Sequence, residues 1–333
     1  MPHQPTFDPG RRRSAQWLLG LAAAPLAGSS LSAFAQSGYP DKSIRFIVPQ
    51  PAGGTGDTVT RIVSQRLAAR LGKPIVIDNK AGAGGTLGAT QAARSPADGY
   101  TLVMSSPGFA TFESMFPKLS FNPSAELAPV GMMGSVPIAL IVRADSPFKT
   151  LADLVAHAKA HPGQVTYGSA GNGALSHLMG AWFASEAGLT MVHVPYAGTA
   201  PALTGLVGGQ VDIYFDPMSG SELLKAGRVR ALATTGEKRT SMLPAVPTMI
   251  EQGVKVSGSV WLGVMAPAGT PRPVIERLNR ELNAVLEEPD VRQQLEARLV
   301  FPDPMGVEQF SAFFARESRT WNKLVRDTGI KAE

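Results

Sequence analysis

The chain has 333 residues, of which 44% are hydrophobic and 17% are charged, and its formal net charge is +5 at pH 7. It contains no Cys, which excludes disulfides, thiolate metal sites and a cysteine nucleophile. The basic residues are scattered along the chain, which argues against a nucleic-acid-binding patch, and the length allows two domains.

Residues 1–35 have the features of a secretory signal peptide. Arginines at positions 11–13 precede an apolar run at 17–24, and Ala33 and Ala35 form a small-residue cleavage site before Gln36. We expect cleavage between Ala35 and Gln36, while the arginines leave Sec and twin-arginine export open. An uncleaved membrane anchor is the alternative, although the apolar run is shorter than the ~20 residues of a spanning helix.

The first predicted element after this segment is an apolar strand at residues 44–48. It runs into a glycine-rich turn at 49–57, after which apolar residues recur at helical spacing at positions 59, 62, 63, 67 and 71. Such a turn brings the N–H groups of a helix N-terminus close to a ligand and can receive an anion without Lys or Arg. A plain tight turn between strand and helix is the alternative.

Strands and helices then alternate through the first half of the chain. We predict a strand at 74–78, a glycine-rich turn at 79–85, a helix at 86–94 with Thr86 as a possible N-cap, and a strand at 100–105. Alternation of this kind is typical of a parallel sheet with helices on both faces.

The second half repeats the opening design of strand, small-residue turn and helix. A strongly apolar strand is predicted around 136–142, and Thr150 is expected to cap a helix at 151–160. The following predicted elements are strand 164–168, turn 169–173, helix 174–187, strand 191–194, turn 195–201, a helix ending at 208–209, strand 211–215 leading to Asp216, and strand 229–235.

The chain is predicted to return through a strand at 259–265 and a loop at 266–271, with Thr270 as an N-cap. The rest is mainly helical, over 274–286, 291–299 and 307–325. This order predicts an α/β protein of two lobes, each a sheet flanked by helices, with the chain crossing near Val136 and Ser259. We expect lobe one at 36–137 plus 262–333, lobe two at 138–261, and a ligand cleft between them.

Several other chemistries fit the residues poorly. A dinucleotide fingerprint at Gly54 and Gly56 would need a third glycine where Val59 stands, and no P-loop lysine follows the glycine turns. His157 and His161 have helical spacing for a metal, but no third acidic ligand stands out. We therefore expect no metal and no cofactor.

A secreted serine hydrolase is a further alternative, with Ser169 as the nucleophile and His177 as its base. Gly171 follows Ser169 at the spacing of a G-x-S-x-G elbow, but Tyr167 breaks the pattern before it. His177 cannot be placed as a base from the sequence, and His193 is expected to be structural or part of a cleft wall.

Short motifs, in their order along the chain, resemble the Bug (TctC-type) family, the periplasmic solute receptors of tripartite tricarboxylate transporters. They are residues 48–57 with Arg61, 79–85, 97–100, 167–173 with His177, 194–198, 243–248, Trp261 and 266–271.

The resemblance implies a type II periplasmic binding protein, a monomer and not an enzyme, whose hinged cleft closes on a small carboxylate. Two loops, at 49–57 and 169–173, would grip one carboxylate group by backbone N–H groups and ordered waters, and Asp216 would meet an amine or a water. The predicted ligand-binding residues are Gln50, Ala52, Gly53, Gly54, Thr55, Gly56, Asp57, Ser105, Ser106, Ser169, Ala170, Gly171, Asn172, Gly173, His177, Tyr196, Gly198, Thr199, Ala200 and Asp216.

Three places depart from the family pattern. Gln50 stands where the family usually has Tyr or Phe, and Gly56 where it usually has Thr or Ser. The family often has a His around residues 105–109, where this chain has Phe109 nearby instead. These changes concern the far end of the pocket, so the expected ligand is left as a dicarboxylate, a tricarboxylate, an acidic amino acid or an aromatic acid. The expected partners are the membrane subunits of a tripartite tricarboxylate transporter, with a sensor kinase of a two-component system as the alternative.

Overall fold

The computed structural model describes Met1 and residues 38–116 and 118–330, so the predicted signal peptide lies outside the described residues apart from Met1. Both sheets fall within one unit, Pro40–Glu333. The first elements are β1 Ile44–Val48, α1 Thr55–Leu71, β2 Ile75–Asn79, α2 Thr86–Ala93, β3 Thr101–Ser105, α3 Pro107–Met115, α4 Pro123–Glu126 and β4 Leu127–Pro137. The remaining elements are β5 Ala139–Arg143, α5 Leu151–Ala160, β6 Thr166–Ser169, α6 Leu175–Ala187, β7 Val192–Pro195, α7 Thr199–Val207, β8 Ile213–Asp216, α8 Ser221–Lys225, β9 Val229–Thr234, β10 Ser259–Pro267, α9 Arg272–Glu287, α10 Pro289–Glu296 and α11 Val307–Thr328.

The strands form two sheets, one in each lobe. The first has the order β2-β1-β3-β10-β4 and the second β7-β6-β8-β5-β9. In both, the central parallel strands are joined by antiparallel ones, since β10 runs against β3 and β4, and β5 runs against β8 and β9. The expectation of parallel sheets is therefore corrected to mixed sheets, and the two-lobe α/β fold with a hinged cleft is confirmed.

The predicted strand around 136–142 is wrong, because two strands of different sheets share that apolar run. β4 ends at Pro137 and β5 begins at Ala139, with the buried Ile138 as the crossing point. The second crossing lies between β9 and β10. Thr235 joins the two crossings, since its N–H donates to the Ile138 carbonyl at 3.0 Å and its carbonyl accepts the N–H of Gly258 at 2.8 Å. The predicted lobe boundaries stay a prediction, and β10 begins at Ser259, ahead of the boundary at 261/262.

Helix ends explain most of the remaining differences. Thr150 forms the predicted cap, in a capping box with Asp153. Thr86 and Thr270 are not N-caps, because Gly85 and Pro271 take that position. The hydroxyl of each threonine instead donates to the carbonyl three residues before it. The short helices α3, α4 and α8 were not predicted. Pro107 with Gly108 at the start of α3, and Pro123 at the start of α4, are equally typical of turns.

The C-terminal helix α11 closes the back of the molecule. It packs on α3 and β4 in the first lobe and also reaches α6 of the second. Its buried Glu317 accepts the indole N–H of Trp261 at 3.0 Å and that of Trp321 at 2.9 Å. Trp321 in turn meets Trp182 of α6 edge-on, with ring centroids 5.3 Å apart. A polar network thus ties β10 and α11 together where helices of both lobes meet.

No helix in the described part of the chain is both long and apolar enough to cross a membrane.

Candidate functional site

The first candidate loop lies between β1 and α1, at the carboxyl end of a central strand. Residues 51–55 are exposed, and Gly53 has φ +84°, which favours glycine. Helix α1 follows with Gly54 as N-cap and no side-chain cap. The N–H groups of Thr55, Gly56 and Asp57 belong to the first turn, where an α-helix offers no internal acceptor. This end of the helix can therefore donate to an anion.

Asp57 is turned into the protein and holds this loop together. Its carboxylate accepts the N–H of Gly53 at 2.8 Å, the Nε of Arg61 at 3.0 Å and the Nδ2 of Asn79 at 2.9 Å. Asn79 also donates to the carbonyl of Gln50 at 3.1 Å. The hydrogen bond and charge of Arg61, with the bonds from Gly53 and Asn79, lower the pKa of Asp57 to about 2 despite its burial. Asp57 stays ionised and is occupied by protein donors.

A pocket of about 280 Å³ adjoins this loop within the first lobe. Gln50, Ser106 and Phe109 line it, together with the glycine turn at residues 81–85. Ser106 is the N-cap of α3 but makes no side-chain cap bond. Ser105 does not line this pocket. Its hydroxyl is fully buried against β10, where a Cβ on Gly263 would come within 2.9 Å of it.

The second candidate loop connects β6 to α6, and its N–H groups are largely used inside the loop. Gly171 donates to Ser169 Oγ at 3.2 Å, Ala170 to Ser176 Oγ at 3.0 Å, and Gly173 to His177 Nδ1 at 3.2 Å. Gly171 and Gly173 have φ of +130° and +73°. The first turn of α6 carries no side-chain cap, and Asn172 is exposed at the tip of the loop. The N–H groups of Ala170, Gly171 and Gly173 are thus bonded to side chains, whereas those in the first turn of α6 have no side-chain acceptor.

His193 of β7 lies against this loop. It was expected from the sequence to be structural or part of a cleft wall and was not among the predicted ligand-binding residues. Its Nε2 lies 2.6 Å from Ser169 Oγ, and its ring stacks on that of His177 with centroids 3.6 Å apart and planes 9° apart. The pairing of β6 with β7 sets this position, because Tyr167 is in register with His193. Parallel pairing of those two predicted strands was the signal that could have identified His193.

The hydrogen bonds around Ser169 argue against a hydrolase. Ser169 Oγ also lies 3.0 Å from the carbonyl of Gly171, which can only accept. All contacts are satisfied if His193 carries its proton on Nε2 and donates to Ser169, which then donates to Gly171. A serine nucleophile would need the opposite direction, with its proton passing to the histidine. In the described residues, neither His193 nor His177 forms an ion pair with a carboxylate.

Asp216 ends β8 in the interior of the second lobe. Its Oδ2 accepts the N–H of Gly220 at 2.8 Å, whereas its Oδ1 is buried without a hydrogen-bond partner. Burial raises the pKa of Asp216 to about 6, against the bonds from the backbone of Gly220 and Ser219. A carboxyl group with a free buried oxygen suits an amine, a hydroxyl or a water as its partner.

The turn at residues 196–200 leads into α7. Gly198 is the N-cap with φ +113° and makes no side-chain cap bond, so Thr199 and Ala200 present free N–H groups. Tyr196 turns its hydroxyl to Gln210 at 3.3 Å. No group of three potential metal ligands occurs among the described residues, and His157 and His161 simply pack with ring centroids 4.6 Å apart.

A larger cavity, of about 660 Å³, lies behind the hinge and not at these loops. Its walls come from the crossing segments around Thr235 and Ser259 and from α11. None of the predicted ligand-binding residues lines it. Its volume therefore does not locate the ligand site, which we seek at the strand ends.

Comparison with known sequences identifies a family. The family described as "Tripartite tricarboxylate transporter family receptor" (TctC) matches residues 59–330. A protein named for the tcbD-tcbE intergenic region of Pseudomonas sp. (strain P51) is 36% identical over 326 residues, which cover 97% of this chain and 96% of that protein. Protein BugT of Bordetella pertussis (strain Tohama I) is 37% identical over 297 residues, which cover 88% of this chain and 91% of BugT.

Solved structures agree with this assignment. A TctC solute-binding protein from Polaromonas, without ligand, has a TM-score of 0.82 and 27% identity, over 87% of this chain and 99% of that one. Rpa4515 of R. palustris with adipate has a TM-score of 0.69 and 31% identity, over 88% and 100%. MatC of Rhodopseudomonas palustris with bound malate has a TM-score of 0.66 and 31% identity, over 86% and 100%.

Proposed function

The chain belongs to the tripartite tricarboxylate transporter receptor family, and on that premise we propose that it captures a small dicarboxylate in its interlobe cleft and delivers it to a membrane permease. The observation that carries this proposal is the pair of glycine loops at the carboxyl ends of β1 and β6. Each leads into a helix without a side-chain cap. Similar proteins have been solved with adipate and with malate, which are dicarboxylates.

In this proposal the carboxylate is held by backbone N–H groups and not by a cationic side chain. Thr55 and Gly56 would donate from the first turn of α1, and residues of the loop at 169–173 would donate from the second lobe. Arg61 is unsuited to the role, because it is bonded to the carboxylate of Asp57. We accordingly assign Asp57 the role of holding the loop in shape, while the other predicted ligand-binding residues remain part of the proposal.

The far end of the ligand would lie toward Gln50 and the glycine turn at residues 81–85. The Gln50 amide has both a donor and an acceptor, so it can bond a second carboxylate or a hydroxyl. This favours a ligand with polar groups at both ends over an aromatic acid. Asp216 would bond a hydroxyl or a bridging water of the same ligand in the second lobe.

Export to the periplasm and transfer to permease subunits complete the proposed function. The signal-like segment at residues 1–35 and the family's solute receptors support this location. Closure of the lobes would bury the ligand and create the state that the permease recognises. A sensor kinase as the receiving partner remains a prediction for which the fold offers no separate observation.

Thermal unfolding of the exported protein against a panel of carboxylates tests the proposal. A ligand at 100 times its Kd stabilises the folded state by about 2.7 kcal/mol, which raises Tm by a few degrees. We expect a clear shift with at least one dicarboxylate and none with matched diols or diamides. Absence of any shift, together with absence of a co-purified acid by mass spectrometry of the denatured protein, would contradict the proposal.

A further inference from the structure

In the second loop, histidine and serine occupy the backbone donors that a carboxylate would need. Gly173 donates to His177 Nδ1 and Gly171 to Ser169 Oγ, each at 3.2 Å, and His193 fixes Ser169 through a contact of 2.6 Å. Because Nδ1 of His177 accepts a hydrogen bond, it carries no proton, and the ring is neutral with its proton on Nε2. A ligand must therefore displace this imidazole from Gly173 to gain the N–H group.

We propose that binding of a carboxylate at residues 169–173 is coupled to uptake of a proton by His177. This inference rests on the proposed function and adds its regulation. Protonation of Nδ1 turns the acceptor into a donor, so Gly173 is released and its N–H becomes available to the ligand. The same proton places a positive charge beside the incoming anion. Ligand and proton then favour each other, and this coupling is reciprocal.

The stack limits the site to one proton at a time. The parallel rings of His177 and His193 are only 3.6 Å apart, so two imidazolium charges would repel strongly. Tyr167 of β6 packs beside both rings, and Ser169 caps His193. No carboxylate among the described residues contributes to the pKa shift of either ring. The stack is thus a neutral pair that lacks any counter-ion until a ligand anion arrives.

Burial and the neighbouring His193 lower the pKa of His177 to about 4. An anion bound at the loop favours the charged ring and raises that pKa. Between the ligand-free and ligand-bound pKa values, binding takes up a proton, so affinity increases as pH falls. A ligand held by neutral groups alone would show the opposite sign, because protonation of its carboxylate groups at low pH only weakens binding.

Titration calorimetry of adipate and malate in buffers of different ionisation enthalpy measures this uptake directly. A bound anion that restores the pKa of His177 to its ordinary value of 6.5 gives uptake of about half a proton per ligand at that pH, where both acids are mostly dianions. We also expect Kd to rise at least about threefold between about pH 6 and about pH 8. In the proton NMR spectrum of the wild type, saturating ligand should convert His177 from imidazole toward imidazolium.

Three variants assign the proton. His177→Asn keeps an acceptor for Gly173 but cannot titrate, so it should abolish uptake. His193→Gln keeps a donor for Ser169 and should retain uptake, as should His161→Asn, a control at the exposed end of α5.

Binding with no proton uptake in the wild type would overturn the coupling but leave the proposed function intact. Uptake that survives His177→Asn would overturn the assignment. If no panel carboxylate stabilises the protein, the proposed function fails and this inference with it. If His177→Asn does not fold, the NMR titration of the wild type decides.

Discussion

The side-chain amide of Gln50 fills the space above Gly56. A Cβ on Gly56 would collide with that amide and would also lie 2.8 Å from Cε of Met104. These are two of the positions at which the sequence was interpreted as departing from the family's usual residues. The contact links the two positions, because the Gln50 amide occupies space that a side chain at position 56 would enter.

Gly56→Ser alone should therefore lower the free energy of unfolding by about 1–3 kcal/mol, as overpacking does. Adding Gln50→Ala should recover part of that loss, because it removes the amide, whereas Cε of Met104 still lies close to the new side chain. A double-mutant cycle from urea unfolding measures the coupling. Strict additivity of the two changes would show that the amide moves freely and that the positions are independent.

Asp57→Asn should weaken the first loop and change the acid stability of the protein. The pKa of Asp57 is about 2 when folded and 3.8 ordinarily, so its stabilisation is present above about pH 4 and is lost as pH falls through about 2. At 1.36 kcal/mol per pKa unit this amounts to about 2 kcal/mol. The wild type should lose that much more than the variant when unfolding is measured at about pH 5 and again at about pH 2. Equal losses would show that Arg61 and Asn79 hold the loop without the charge.

Asp216→Asn should have the opposite effect. The folded pKa of Asp216 is about 6, above its ordinary 3.8, so the protonated form is favoured in the folded state and stability falls as pH rises between about 4 and 6. Asn retains an acceptor for Gly220 and removes the buried charge. We expect the variant to be more stable by up to about 3 kcal/mol above pH 6, measured by urea unfolding, with the difference vanishing near pH 4. Asp57→Asn serves as the control of opposite sign.

Gly171→Ala should weaken carboxylate binding, an effect that a comparable loss of folding stability elsewhere in the chain does not have. Gly171 has φ +130°, a conformation that alanine adopts only with strain, so the loop must change shape. Gly188→Ala is the matched control. Gly188 is the C-cap of α6, the helix that follows this loop; it has φ +63°, and no atom lies within 4 Å of where its Cβ would be. Both should lower Tm, but only Gly171→Ala should weaken the thermal shift with adipate or malate. Equal binding by the two variants would remove the second loop from the site.

Local patterns sufficed to predict β1, the glycine loop and α1, because strand and helix periods follow each other within 28 residues, from Ile44 to Leu71. They placed a crossing between the lobes near Val136 but could not show that one strand ends and another begins at Ile138, since an apolar run looks the same whether it forms one buried strand or two. α3 was hidden for a similar reason, because Pro107 and Gly108 fit a turn as well as a helix start.

The glycine turns proposed as the site could be predicted from the sequence, but their hydrogen bonds could not. The glycine turns before α1 and α6 were identified from sequence, whereas the inward turn of Asp57 depends on Asn79, a residue of β2. His193 reaches Ser169 and His177 only because β6 and β7 pair in parallel. Contacts between different elements therefore determine which N–H groups remain free. The spacing of residues within a single element cannot predict those contacts.

The tryptophan cluster at the back of the hinge gives this protein an optical reporter of its own. Of the four tryptophans, Trp17 lies in the predicted signal peptide, and the other three are Trp182, Trp261 and Trp321. Two of them share the carboxylate of Glu317, and Trp182 stands on α6, the helix that starts at the second loop. A rotation of one lobe against the other changes the edge-on contact of Trp182 with Trp321. The tryptophan fluorescence of the exported protein should therefore come from this cluster, and it should change when the lobes close. Ligand capture can then be followed in real time without a label.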